Sequence, residues 1–105
     1  TFLSATKVPS YEESDWVAVI YDDAFWPGIV ETIDEEKKCS IKFMKPVAGA
    51  TNKYTETDDI SSLPPNEILC KIPNPPQPIS NRHWALNLED YVEVNQIMAT
   101  ALGMN

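Results

Sequence analysis

Asp15-Trp16-Val17-Ala18-Val19-Ile20-Tyr21-Asp22-Asp23-Ala24-Phe25-Trp26-Pro27-Gly28-Ile29-Val30 is the stretch that decides the fold. Its first half, Trp16 to Tyr21, is aromatic and β-branched, too short for a helix and bounded by acids, so it predicts a strand. Asp22-Asp23-Ala24 predicts a turn, and Phe25 to Ile33 a second strand. Pro27 has no N–H to give to a ladder, so near it the second strand must lie at an edge or a bulge.

Outward from this hairpin the same grammar continues. Asp34-Glu35-Glu36-Lys37 has turn character. From Lys38 to Met44 the chain alternates, with Cys39, Ile41 and Phe43 on one face and Ser40, Lys42 and Met44 on the other, the period of a half-buried strand. A loop from Pro46 to Asn52 follows, then a short fourth strand from Lys53 to Thr57 centred on Tyr54. Ser61-Ser62-Leu63-Pro64-Pro65 suggests a 3₁₀ turn, and Glu67 to Ile72 a fifth strand. Five short strands with no helix between them argue for a mainly β domain, a five-stranded antiparallel sheet closed into a small barrel.

Pro73-Asn74-Pro75-Pro76-Gln77-Pro78 then predicts a semi-rigid polyproline II spacer. Past it, Asn87 is a good N-cap, with Glu89 and Asp90 at the positive end of a helix and Asp90 at the capping-box position. Leu88, Tyr91, Val92, Asn95, Met98, Ala99 and Leu102 fall at helical spacing, and Gly103 is a natural stop. A C-terminal α-helix from about Leu88 to Leu102 is expected to lay that stripe on the barrel, although a partner helix could use the same face. The organisation read from the chain is an N-terminal arm over 1–14, a barrel over 15–72, a Pro-rich linker over 73–83 and a helical tail over 84–105.

Composition narrows the function. Sixteen acidic residues face eight basic ones, for a formal net charge of −8. Such a surface repels a polyanion, and only Arg82 could make a bidentate phosphate contact, so direct nucleic-acid binding is not expected. A basic peptide is the natural complement of this charge, although moderate negative charge also serves solubility alone. Two cysteines, Cys39 and Cys70, do not form a disulfide framework, and a reduced intracellular setting is expected. No apolar run is long enough to cross a bilayer, and no signal peptide, with its basic start and apolar middle, is expected.

Catalytic chemistry finds little to work with. One histidine, His83, together with Cys39 and Cys70, lacks the paired spacing of a zinc site, and no Gly-rich loop precedes a helix to cradle phosphate. The carboxylate pairs Asp22-Asp23, Glu35-Glu36 and Asp58-Asp59 sit in predicted polar turns, where acids are solvated rather than split in pKa. The expectation is a binding module without cofactor, metal or enzymatic activity.

The aromatic residues are the informative ones. Tyr21 ends one strand and Trp26 opens the next across a tight acidic turn, so both stand at one end of the barrel, and Phe43 near the end of the third strand can add a wall. Electron-rich ring faces attract a cation, and a methylated ammonium suits them because it is bulky and poorly hydrated. Asp22, Asp23 or Asp58 could add charge attraction. Trp16 is expected in the core or as a lid on the barrel base, Trp84 as an anchor of the tail, and Phe43 as core or cage alike.

These residues resemble those of Tudor domains, and of the wider group of methyl-reading barrels that includes PWWP and chromo-barrel modules. There the first strand ends in an aromatic, the second opens with an aromatic, Pro and a small residue, as in Trp26-Pro27-Gly28, and the third ends in an aromatic. The resemblance covers Asp15 to Ile72 and implies an SH3-like barrel that reads methylated lysine or arginine on a basic, histone-like protein in the nucleus. Tyr21, Trp26 and Phe43 match three cage positions. The chain departs from the pattern at Lys45-Pro46-Val47, where another aromatic is usual, and Tyr54 is then the candidate for the missing wall. Two alternatives stay open: an SH3-type binder of proline-rich peptides, and a degenerate barrel serving as a scaffold for an unmodified protein segment.

Overall fold

A computed structural model of the chain describes residues 11–22 and 24–103. The strands are β1 (Trp16–Tyr21), β2 (Ala24–Ile33), β3 (Cys39–Pro46), β4 (Lys53–Leu63), β5 (Cys70–Lys71), β6 (Gln77–Pro78) and β7 (His83–Ala85), and the helix α1 is Leu88–Ala101. They form one sheet in the order β5-β1-β2-β3-β4-β7-β6, curled into a half-barrel, with every pairing antiparallel. The fold is mainly β with a C-terminal helix, as expected. The sheet has seven strands rather than five, and its two edges, β5 and β6, are not hydrogen-bonded to each other.

Period-two alternation assigns the two faces. Val17, Val30, Cys39, Ile41 and Phe43 fill the concave side, while Ala18, Phe25, Met44 and Tyr54 face the helix. Pro27 obeys the geometric demand made of it. It pairs with Ala18 of β1, whereas pairing with β3 begins only at Gly28↔Phe43, so its missing N–H falls where the β3 ladder ends. Gly28 is small for a second reason: a Cβ there would collide with Ile41 Cγ2 and press on Phe43 and the Lys42 carbonyl.

In the described part of the expected N-terminal arm, Tyr11 is buried in the concave cluster and Ser14 N donates to Val30 O at 2.7 Å. Several expectations need correction. β4 runs six residues beyond Thr57, because its polar half pairs with Cys39–Lys42 even though its side chains stay largely exposed. A strand on a half-solvated sheet needs backbone partners more than apolar side chains. The 3₁₀ turn lies at Pro65–Glu67, later than Ser61–Pro65, so Glu67 belongs to it and not to a fifth strand.

A further correction concerns the Pro-rich linker, which does not act as a spacer. Gln77 and Pro78 pair with Ala85 and Trp84, Pro76 is buried, and Asn74 donates its backbone N–H and its side-chain amide to Asp90 Oδ2 at 3.0 and 3.1 Å. Asp90 therefore ties the linker to the helix rather than closing a capping box.

Helix α1 starts as read, with Asn87 Oδ1 accepting from the backbone of Glu89 and Asp90 at 2.9 and 3.3 Å. It stops at Gly103, whose φ of 75° suits a residue without Cβ. Its packing stripe differs from the expected one. Val94, 1% exposed, and Met98 are the buried apolar residues, with Tyr91 beside them, while Leu88 and Val92 stand 59% and 48% exposed. The expected stripe held Tyr91 and Met98 but not Val94, and contact with the cluster of Phe25, Tyr54 and Leu86 turns Val94 inward and leaves Leu88 and Val92 outside. Trp84 pairs with Tyr54 and packs on the same cluster, which is the anchoring role expected of it, and Trp16 packs there too.

Candidate functional site

The turn between β1 and β2 is tight because Tyr21 pairs directly with Ala24. Asp22 adopts φ 51°, a left-handed conformation that Asp tolerates better than most residues. The Tyr21 and Trp26 side chains lie on the concave side, where their ring centroids are 5.1 Å apart with planes at 78°. Edge-to-face packing satisfies the positive ring edge against the negative face and leaves other ring surface free. Tyr21 is 58% exposed.

The two rings border a pocket of about 570 Å³ that runs down to Phe43, Val19 and Leu63. Phe43 serves both purposes weighed for it: it is 8% exposed, belongs to the concave core, and forms part of the pocket wall. The structure thus brings Tyr21, Trp26 and Phe43 together. Gly28, opposite Phe43, makes room for that arrangement.

Among the described residues the acids that line the pocket are Asp59 and Glu67, together with Ile60 and Ser61, and no described Lys or Arg does. Asp22 and Asp58 are exposed and lie outside the lining, and Asp23 falls outside the described residues. A bulge accounts for Asp59. Lys42 pairs with Ile60 and Met44 with Glu56, so Thr57-Asp58-Asp59 together oppose the single residue Phe43. Thr57 bridges the defect: its Oγ1 donates to Phe43 O at 2.8 Å and accepts from Asp59 N at 3.1 Å. Asp59 could have been found by carrying the strand pattern past Thr57, but two consecutive aspartates read as a turn. Glu67 enters because the 3₁₀ turn folds over the pocket's end, and no local signal announces that.

Tyr54 does not supply a fourth wall. It is 2% exposed and packs against Phe25 at 6.1 Å between ring centroids, on the helix side of the sheet. Its alternation with respect to β3 explains this, since it pairs with Pro46, in step with Met44 rather than Phe43. Burial raises its hydroxyl pKa far above the usual range, so it remains a neutral core group.

Elsewhere, Cys39 and Cys70 are both free thiols. Burial, then Glu93, pushes the Cys70 thiol up to about 11, and burial, then Asp34 and Asp15, raises Cys39. Neither is activated as a nucleophile. Among the described residues no three His, Cys, Asp or Glu side chains gather as a metal site, and no helix is long and apolar enough to cross a membrane. Comparison with protein families, curated proteins and solved structures gave no match, so the site is read from its own geometry.

Proposed function

We propose that this chain is a non-catalytic protein-interaction module that takes a cationic side chain of a basic peptide, methylated lysine or arginine, in the pocket bordered by Tyr21, Trp26 and Phe43. The observation that carries the reading is the edge-to-face aromatic pair over a pocket rimmed by Asp59 and Glu67, with no basic residue in its wall among the described residues. Ring faces favour a poorly hydrated cation, and two nearby carboxylates add long-range attraction. A neutral apolar ligand would gain nothing from those acids and would pay to desolvate them. The pocket is larger than one methylated ammonium, which leaves space for its aliphatic stem.

A Tudor-like, SH3-like barrel is the architecture we assign to Asp15–Ile72. It is supported by the strand order β5-β1-β2-β3-β4, in which the fifth strand returns to pair with the first after a 3₁₀ turn. That return is the step by which a five-strand meander curls toward a barrel. Support also comes from three aromatics, Tyr21, Trp26 and Phe43, of three successive strands that line one pocket.

Titration by calorimetry or NMR with methylated and unmethylated lysine and arginine peptides, and with a proline-rich peptide, tests the function. Methylation is expected to tighten binding about tenfold, the scale of a desolvated cation–π contact. Trp26→Ala should remove that preference. Equal affinity for methylated and unmethylated peptides, or none, would refute the reading, and preference for the proline-rich peptide would replace it.

A further inference from the structure

We infer that the peptide is held as an added β-strand along the outer edge of β4, from Glu56 to Leu63, with one of its side chains entering the aromatic pocket. The inference rests on the pocket reading above and adds how the rest of the peptide is bound. β4 is paired with β3 along its length, whereas on its other side β7 covers only Lys53, Tyr54 and Thr55. Beyond Thr55 that side of the strand has no strand partner among the described residues. A strand edge carries alternating N–H and C=O groups ready to pair with an extended chain.

This edge lies directly beside the pocket. Asp59, Ser61 and Leu63 line the pocket from β4 itself. A strand added there would send alternate side chains to the concave side, so one of them reaches the rings while its second neighbours stay at the rim. The main-chain bonds would hold the peptide and the pocket would choose the residue.

Charge selects the occupant. The edge segment carries Glu56, Asp58 and Asp59 and no basic residue, and Glu67 faces the same pocket. A second copy of this chain pairing edge to edge would set these acids against one another, which is how exposed edges normally discourage self-association. An extended segment rich in Lys and Arg turns the same acids into attraction. The occupant is therefore a basic extended peptide.

The test uses the full chain and a pool of short peptides randomised around a central dimethyllysine flanked by arginine, from which the tightest binder is taken. Methylating that peptide's backbone nitrogens one at a time removes single donors. Loss of at least tenfold in affinity at alternate positions, with little change at those between, is expected if a strand is added, since only every second N–H points to the edge. On binding, amides within Glu56–Ser62 should gain hydrogen-exchange protection. Asp59→Lys should weaken binding about fivefold at low salt and less at high salt.

Binding that depends on Trp26 but ignores backbone methylation would overturn edge addition and leave the pocket intact. No retained peptide would overturn both. Protection of the same amides in the free protein, abolished by removing residues 1–10, would also overturn it, because the edge would then belong to the chain's own N-terminal segment.

Discussion

Phe25 and Trp26 are neighbours in one strand and have opposite fates. Phe25 points to the helix side, where Tyr54 and Tyr91 lie 6.1 and 5.7 Å from it between ring centroids. Trp26 points to the concave side, where Tyr21 meets it at 5.1 Å and the pocket stays open. The same hairpin contributes to both aromatic clusters, through Phe25 to the first and through Tyr21 and Trp26 to the second. The difference is what lies above them: α1 and the Leu86 segment cover the first, whereas at the second Tyr21 stays 58% exposed beside an open pocket. Burial makes an aromatic a stabilising group, and a partly uncovered pair of rings next to carboxylates makes it a recognition surface.

The contrast can be broken most sharply by truncation. Phe25→Ala should cost about 3–5 kcal/mol in denaturant unfolding, as a fully buried aromatic does. Trp26→Ala should cost less than about 2 kcal/mol, because the ring is only partly removed from water, while abolishing the methyl preference. A larger stability loss for Trp26 than for Phe25 would show that the mouth is core. Next in size, Gly28→Ala should destabilise by about 1–3 kcal/mol through its clash with Ile41, and it should weaken peptide binding as Phe43 shifts. Loss of stability without loss of binding would detach the pocket from the concave core.

A smaller effect is expected of Thr57→Val, which keeps shape but removes the hydroxyl that bridges Phe43 O and Asp59 N. About 1 kcal/mol of stability should go, with a modest fall in affinity as Asp59 loses its placement. Unchanged affinity would mean that the carboxylate's position is unimportant. The smallest effect is read from Cys70, packed against the helix-side cluster. Its thiol sits at about 11 rather than 9.0, so alkylation of the folded protein should accelerate with a midpoint near the higher value. The unfolded thiol loses its proton first, so the Cys70 contribution to stability is present below pH 9.0 and is lost as pH rises toward about 11. Cys70→Ser should flatten that slope.

Local pattern made much of this legible. β1, β2 and β3 follow from alternation, and the Tyr21, Trp26 and Phe43 grouping follows from the face that alternation gives them around a tight hairpin, although β3 runs past Phe43 to Pro46. Asn87 and Gly103 mark the helix because capping depends on one or two residues. The misses share a cause. Polar β4 beyond Thr57 is a strand only because β3 offers it partners, and Gln77–Pro78 pairs only because His83–Ala85 returns beside it. Tyr54 was a plausible wall until its register with Pro46 put it on the other face.

By itself the sequence determined a mainly β chain with a capped C-terminal helix, an acidic surface and an aromatic-turn-aromatic hairpin, since each depends on neighbours within a few residues. Only the tertiary structure decided which residues of the helix are buried, that Asp59 and Glu67 rather than Asp22 and Asp58 border the pocket, and that β4 has no strand partner on its outer side beyond Thr55 among the described residues. Those outcomes depend on pairing register and on surfaces competing for the same cover. Register links residues far apart in the chain, so no local pattern carries it.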